Sequence, residues 1–347
     1  MISFHLLWLV SLSLAIASVI IMLALILRRV ILIRQQRYES EVRSKLTSLI
    51  LRYLDGDFPL DALRKHTHGK RSVLMSELVA DLLFSVRGGD RAGLIELLRQ
   101  LDIIDIHLAA LDDGTALERV AAIFGLSLFD DPQIIERIRD CLDDSDPDVR
   151  LWAAHALSEH RATGPARVLV DKLQIGSLEN SRALRKIFRN LVPEHNDELI
   201  EMLGDDTPEA AKVLAIDALG RSGDYMAVNA ISVMVVHRSE DVRVATLRAL
   251  ADLEHPNAQL AVMQALNDKC ASVRATAATC AGRTGVTDAI PLLVKRLDDD
   301  SWWVRLRSAE ALYELGKAII PLSRSMPMTS RAARVAQLVL AEKEMSA

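Results

Sequence analysis

Small and apolar residues recur along this chain on one helical face, in blocks that return at a fixed interval. One block holds Ala153, Ala154, Ala156 and Leu157, another Thr246, Leu247, Ala249 and Leu250, and a third Ser308, Ala309, Ala311 and Leu312. Small side chains on a buried stripe let helices approach closely, and the leucine ending each block fills the remaining volume. A basic residue sits just ahead of each block. Arg119, Arg150, Lys212, Arg243, Arg274 and Arg305 lie on one progression in equal steps, broken only by Ser181 between Arg150 and Lys212. Such a strict interval predicts a repeat array rather than one compact domain. A unit of this length has room for two helices and two turns. In the second unit, Asp144-Ser-Asp-Pro-Asp148 opens a helix running to about Glu159. Arg161-Ala-Thr-Gly-Pro165 breaks the chain, and a second helix carries Ala166, Leu169, Val170 and Leu173. A hairpin this short cannot bury its own apolar face, so it must stack on the next.

An acid lies six residues before the ladder position in five units, at Asp113, Asp144, Asp206, Asp268 and Asp299, with Ile175 and His237 as exceptions. A valine precedes the arginine at Val149, Val242, Val273 and Val304. These Asp-x5-Arg pairs and the run Val149-Arg-Leu-Trp-Ala-Ala-His-Ala-Leu157 resemble the HEAT-repeat family, particularly the short bacterial form also found in phycobilisome-lyase-like proteins. The resemblance covers roughly 106–347. It implies an all-α solenoid of helical hairpins, with the Asp and Arg side chains hydrogen-bonded as a structural ladder between adjacent repeats. The third unit departs most, with Ser181, Ile175, and the bulky Leu184, Ile187 and Phe188 at small-residue positions, so a bend or a change of stacking is expected there.

The chain begins differently. The segment from Leu6 to Leu27 carries no charge. At a rise of about 1.5 Å per residue it extends about 33 Å, enough for a hydrocarbon core of about 30 Å. No Lys or Arg precedes it, and the apolar run continues past Ala15-Ile-Ala17-Ser18, which argues against a cleaved signal peptide. Arg28, Arg29, Arg34 and Arg37 follow it. Basic flanks stay cytosolic. The expectation is a single-pass anchor in residues 1–33, with the N-terminus outside the plasma (inner) membrane and the rest in the cytosol. Residues 34–105 are expected to be helical, at about 34–54, 60–67, 71–86 and 91–110, forming a cap or a separate docking module before the array of 106–347. Asp55-Gly-Asp-Phe-Pro59 should end the first of these helices.

Charge narrows the function. The formal net charge is −5, but Arg28–Arg71 holds 11 Lys or Arg against 5 Asp or Glu, leaving about −11 elsewhere. An acidic array lacks the basic groove that phosphates need, so no nucleic-acid partner is expected. Three cysteines without paired spacing give no disulfide framework, and Cys280 falls on a small-residue stripe as a packed thiol. No nucleotide, zinc or dithiol motif occurs. His66 and His68 sit in a turn without a companion ligand. The acids of Asp143–Asp148 and Asp298–Asp300 coincide with helix starts, where they serve as caps. No catalytic residue, cofactor or metal is therefore expected.

If the ladder helices line a binding face, its outward positions recur with the same period. One series is His155, Lys186, Asp217, Arg248, Thr279 and Glu310; one turn on come Glu159, Asn190, Arg221, Asp252, Arg283 and Glu314. Mixed signs suit a protein partner, with Trp152, Trp302, Trp303 and Tyr313 as aromatic anchors. The candidates for partner contact are thus Trp152, His155, Lys186, Arg248, Trp302, Trp303 and Glu310. The expected function is a membrane-anchored scaffold for a membrane-associated protein. The resemblance leaves a phycobilisome-lyase-like enzyme acting on a bilin-carrying protein as the alternative.

Overall fold

A computed structural model describes residues 2–65, 74–75, 78–79, 81–82, 89–176, 182–204, 206–316, 318–321 and 330–345. Every regular element among them is helical. The chain divides into two compact units, Met1–Phe129 and Asp130–Ala347.

The first unit starts with one continuous helix, α1 (Ile2–Leu54). Its last turns bury Leu46, Leu49 and Ile50. Gly56 then turns the chain at φ +79, a conformation that glycine adopts without a Cβ clash. Next come α2 (Leu60–Arg64), α3 (Gly89–Gln100), α4 (Ile103–Asp113) and α5 (Ala116–Leu126). Leu54 of α1 approaches Gly93 of α3, and Tyr53 donates to Gln100 Oε1 at 3.0 Å. The expected helix over 91–110 is in fact two, because Asp102 adopts φ +55 between them. Much of the helix expected at 71–86, and the His66/His68 turn, lie outside the described residues. Among the described residues, no helix is long and apolar enough to cross a membrane. Only part of Leu6–Leu27 has described side chains, and in that part Ile20, Ile21, Met22, Leu23, Leu25, Ile26 and Leu27 are all exposed.

Within this unit α4 packs on α5. His107 is buried where Gly125 leaves room; a Cβ at 125 would stand 2.3 Å from His107 Nε2. Thr115 caps α5 in a reciprocal box with Glu118.

The second unit holds the array. Its helices are α6 (Pro132–Asp140), α7 (Pro147–Glu159), α8 (Ala166–Lys172), α9 (Arg182–Glu201), α10 (Glu209–Gly220), α11 (Ala227–Val233), α12 (Glu240–Leu253), α13 (Gln259–Ala265), α14 (Ala271–Arg283), α15 (Ile290–Arg296), α16 (Trp302–Glu314) and α17 (Arg331–Met345). The ladder-bearing helices α7, α9, α10, α12, α14 and α16 pack side by side in that order. The small stripes are buried as expected: Ala153, Ala154, Ala156 and Leu157 in α7, and Ser308, Ala309, Ala311 and Leu312 in α16. Cys280 is buried in the same stripe, and burial pushes its thiol up to about 12. In the third unit the hairpin turn is replaced by a kink. Helix α9 runs through Pro193, which lacks the amide donor, and bends at His195 (φ −126, ψ 25). Ser181 lies outside the described residues.

The ladder has a specific geometry. Arg243 binds Asp268 through Nε and Nη2 (2.8 and 3.0 Å), and Arg274 binds Asp299 the same way (both 2.8 Å). Each arginine thus reaches the acid of the following unit. Its remaining nitrogen ties down the loop of its own unit. Arg243 Nη1 donates to the carbonyls of His237 and Arg238, Arg274 Nη1 to those of Asp268 and Lys269, and Arg305 Nη1 to those of Asp299 and Asp300. The acid also stabilises the turn opening the next helix, since Asp268 accepts Cys270 N–H and Asp299 accepts Ser301 N–H. Where Ile175 replaces the acid, Arg150 Nε donates instead to the Lys172 carbonyl (2.9 Å). His237 keeps the turn without a carboxylate, its Nδ1 accepting Ser239 N–H at 3.1 Å. Lys212 is buried at its ladder position, and Asp206 is exposed. Beyond Arg305 stands Ser330, and Arg305 Nε is buried with no hydrogen-bond partner among the described residues. Asp113 lies at the end of α4, and Arg119 Nη1 donates to the Gly114 carbonyl at 2.8 Å.

These pairs are desolvated. The Asp299 side chain is 3% exposed. Burial works against ionisation of Asp268 and Asp299, yet hydrogen bonds from Arg243 and Arg274 hold both carboxyls below the ordinary 3.8. Replacing Arg274 by Ala leaves the buried Asp299 carboxylate with only the longer 3.4 Å contact of Arg296 and the Ser301 N–H, and should destabilise the second unit by about 3 kcal/mol. Arg150→Ala, which strands only carbonyls, should cost about 1–3 kcal/mol. Denaturant unfolding of both variants checks the order. The acid dependence has two parts of the same sign. The depressed carboxyls stabilise above the ordinary Asp value, and that stability is lost as pH falls below 3.8. Burial lowers His107 to about 4, so the unfolded chain binds more protons between 6.5 and 4 and stability falls as pH drops through that window. His107→Gln should flatten the higher window, by up to about 3 kcal/mol, and leave the lower one.

Candidate partner-binding face

The exposed side of the ladder helices is set by the same register. Positions that fall in the gap of the stripe pattern, as His155 does between Ala154 and Ala156, stand on the opposite side of the helix, which places His155, Lys186, Asp217, Arg248 and Glu310 on the outer side of α7, α9, α10, α12 and α16. The structure puts them on that side, and it also shows what most of them touch. Glu159 accepts from Lys186 Nζ (2.7 Å) and from Asn190 Nδ2 (3.2 Å), joining α7 to α9. Arg189 grips Asp217 with two bonds (2.8 and 3.0 Å), joining α9 to α10. Asp252 takes Arg283 at 2.7 Å and faces Arg221 at 3.7 Å, joining α12 to α14 and α10. A polar seam spread over about two helical turns therefore crosses five helices. The Lys186 hydrogen bond is the leading cause holding Glu159 below its usual range. Burial leads in lowering His155, aided by the Lys186 charge and opposed by Glu159.

One stretch of this face is hollow. A groove of about 630 Å³ opens over α10 and α12, with Arg185 of α9 and Ser272 of α14 at its sides. Val213, Val244 and Ala245 contribute its apolar lining; Glu209, Asp217, Glu240, Asp241, Arg248 and Asp252 contribute its charges. Of the residues picked out from sequence as partner contacts, only Arg248 lines it. Arg248 is exposed and pairs with no acid among the described residues, since Asp217 and Asp252 are engaged by Arg189, Arg221 and Arg283. Glu209, Glu240 and Asp241 were not singled out from sequence. Their signal was there: Glu209 and Glu240 stand exactly one repeat apart, each in the first turn of its helix.

The aromatics stand elsewhere. Trp152 is partly exposed and meets His155 edge-on at 5.5 Å. Trp302 and Trp303 are both exposed; Arg305 lies over the first (5.6 Å) and Arg307 over the second (6.0 Å). Arg307 also donates to Glu310 at 2.8 Å. Lys343 lies over Tyr313 at 5.7 Å. Among the described residues, no group of three or more His, Cys, Asp or Glu is placed to hold a metal ion. Asp146 caps α7, accepting Asp148 and Val149 N–H, and Asp144 accepts Asp146 N–H.

Side-by-side helices tied together at a constant repeat spacing match a known family model. Residues 104–184 and 259–341 match the family of HEAT repeats. These two segments carry HEAT repeats. The stretch between the two matched segments holds the kinked α9 and the groove helices, and it keeps the ladder at Lys212 and Arg243. A search of curated proteins finds no match. Among solved structures, the chain is similar to human deoxyhypusine hydroxylase in complex with glycerol, at 20% identity over 82% of this chain and 98% of that one, with a TM-score of 0.33. Similar too is Kap121p bound to Pho4p, at 13% identity over 86% of this chain but 41% of that one, with a TM-score of 0.46; this chain thus spans under half of it. The CpcE–CpcF complex of phycocyanin lyase from Nostoc sp. PCC7120 matches at 18% identity over 82% and 94%, with a TM-score of 0.26. At these values nothing transfers from those proteins to this chain.

The seam is solvent-exposed, and exposed pairs contribute about 0–1 kcal/mol each. Asp252→Ala should therefore lower the denaturant midpoint slightly, and the difference from wild type should shrink in high salt. Asp299→Ala should lower it severalfold more and keep its effect in salt.

Proposed function

We propose that this protein is a non-catalytic HEAT-repeat scaffold that is anchored in the plasma membrane by Leu6–Leu27 and holds a protein partner on its ladder-helix face, in the cytosol. The observation that carries the reading is the groove over α10 and α12. Its floor is fixed by the seam, while Arg248 and Asp241 remain exposed. A pre-tied surface with available charges of both signs loses little entropy when a partner binds. Supporting the anchor, helix α1 is apolar around its whole circumference from Ile20 to Leu27, since consecutive exposed residues point in all directions. Arg28 and Arg29 follow immediately and are exposed. A tether to the bilayer raises the effective concentration of the groove for membrane-bound partners, so modest contacts suffice.

The test is a photo-crosslinking residue introduced at Arg248 in the full-length protein in cells, combined with alkaline extraction of membranes. Expected are retention in the membrane pellet and one predominant crosslinked protein, lost when Asp241 is replaced by Lys. Extraction into the soluble fraction refutes the anchor. An absence of any crosslinked protein refutes the groove as partner site, and a chromophore copurifying with the chain turns attention to the lyase-like alternative.

A further inference from the structure

We propose that the outer helices α11 and α13 form a self-association surface through which two copies of this chain pair. The second helix of each hairpin shows solvent an equivalent set of positions, one set per repeat. In the second unit these include Arg167 and Asp171, and in the sixth Asp288, Lys295 and Asp298, all exposed. An ordinary solvated face has this composition. In the fourth and fifth units it changes. The face of α11 and its extension carries Met226, Val233 and Val236, exposed by 81, 63 and 60%; beside it Tyr225 is 60% and Leu260 82% exposed. The Tyr225 ring lies 5.0 Å from that of His255, which bridges the two units. No charged residue occurs from Tyr225 to Val236 or from Pro256 to Asn267. Depletion of charge with enrichment in Met, Tyr and large aliphatic residues marks the core of a protein interface.

Charge and area select the occupant. Without Lys or Arg, the face has nothing to hold a phosphate or a lipid headgroup. A different protein is ordinarily chosen by a complementary charge pattern, and this face has none. A second copy needs none: across a two-fold axis each residue meets its own counterpart region, and an uncharged face meets itself without like-charge repulsion. The five apolar side chains expose on the order of 600 Å², at the upper end of the largest patch a monomer usually leaves bare. That approaches the roughly 800 Å² per partner of a standard complex.

The experiment uses the full-length protein. Val233→Cys and, as control, Lys295→Cys at an equivalent position of the charged sixth unit are treated with a short bifunctional thiol reagent in native membranes, beside wild type. The mass of wild type and of Val233→Asp is measured by light scattering in mild detergent, with helicity checked by circular dichroism. Expected are a covalent dimer from Val233→Cys alone, a wild-type mass of two chains, and a halved mass with unchanged helicity for Val233→Asp. A monomeric wild type, a mass unmoved by Val233→Asp, or crosslinking of position 233 to a different protein overturns the proposal.

Discussion

The buried guanidinium of the ladder arginine governs the array. Five donors in a rigid plane let one side chain do two jobs. One nitrogen closes on the loop carbonyls at the start of its own helix, and the other edge grips the carboxylate that opens the next unit. The spacing follows from this. The acid must stand six positions before its own arginine, so that its carbonyl is in reach, and 25 after the preceding one, so that its carboxylate is. Lysine, with a single point charge, cannot hold both edges, and at Lys212 the next acid is indeed absent and His237 takes over the turn. Stability in such an array is shared between neighbours rather than stored within each hairpin.

Sequence revealed what the period controls. The ladder positions, the buried stripes, the turn at Arg161–Pro165 and the caps in Asp144–Asp148 follow from composition at a fixed interval, because helix packing tolerates little variation there. What escaped depends on single residues or on pairs distant in sequence. Asp102 breaks a helix with neither Gly nor Pro, through a left-handed backbone that many sequences avoid. Pro193 was visible, but not that it would kink a continuous helix in place of a turn. On the ladder-helix face, Lys186 and Asp217 looked available because sequence does not reveal that Glu159 and Arg189 lie opposite them. Arg248 is one more polar residue of the outward series in sequence, and only the structure shows that its possible partners are already engaged.

The array has two surfaces of opposite character. The ladder-helix face is rich in charge, stitched across its helices and hollow over α10 and α12. The second-helix face, in the same two units, is uncharged and protrudes with Met226 and Leu260. The groove and the apolar patch thus lie on different helices of the same two units.

Helix α1 runs without interruption from Ile2 into the packed turn at Leu46–Ile50. Such a rod fixes azimuth as well as height. Each residue advances about 1.5 Å and turns about 100°. From Leu27 to Leu46 the offset is therefore about 28 Å, and the compass bearing of the helical body on the end of the rod is set by the residue count between them. Whatever grips the first half of α1 thereby also aims the helices packed around its last turns, and a change of a single residue in the rod would turn those helices by more than a quarter circle while barely altering their distance.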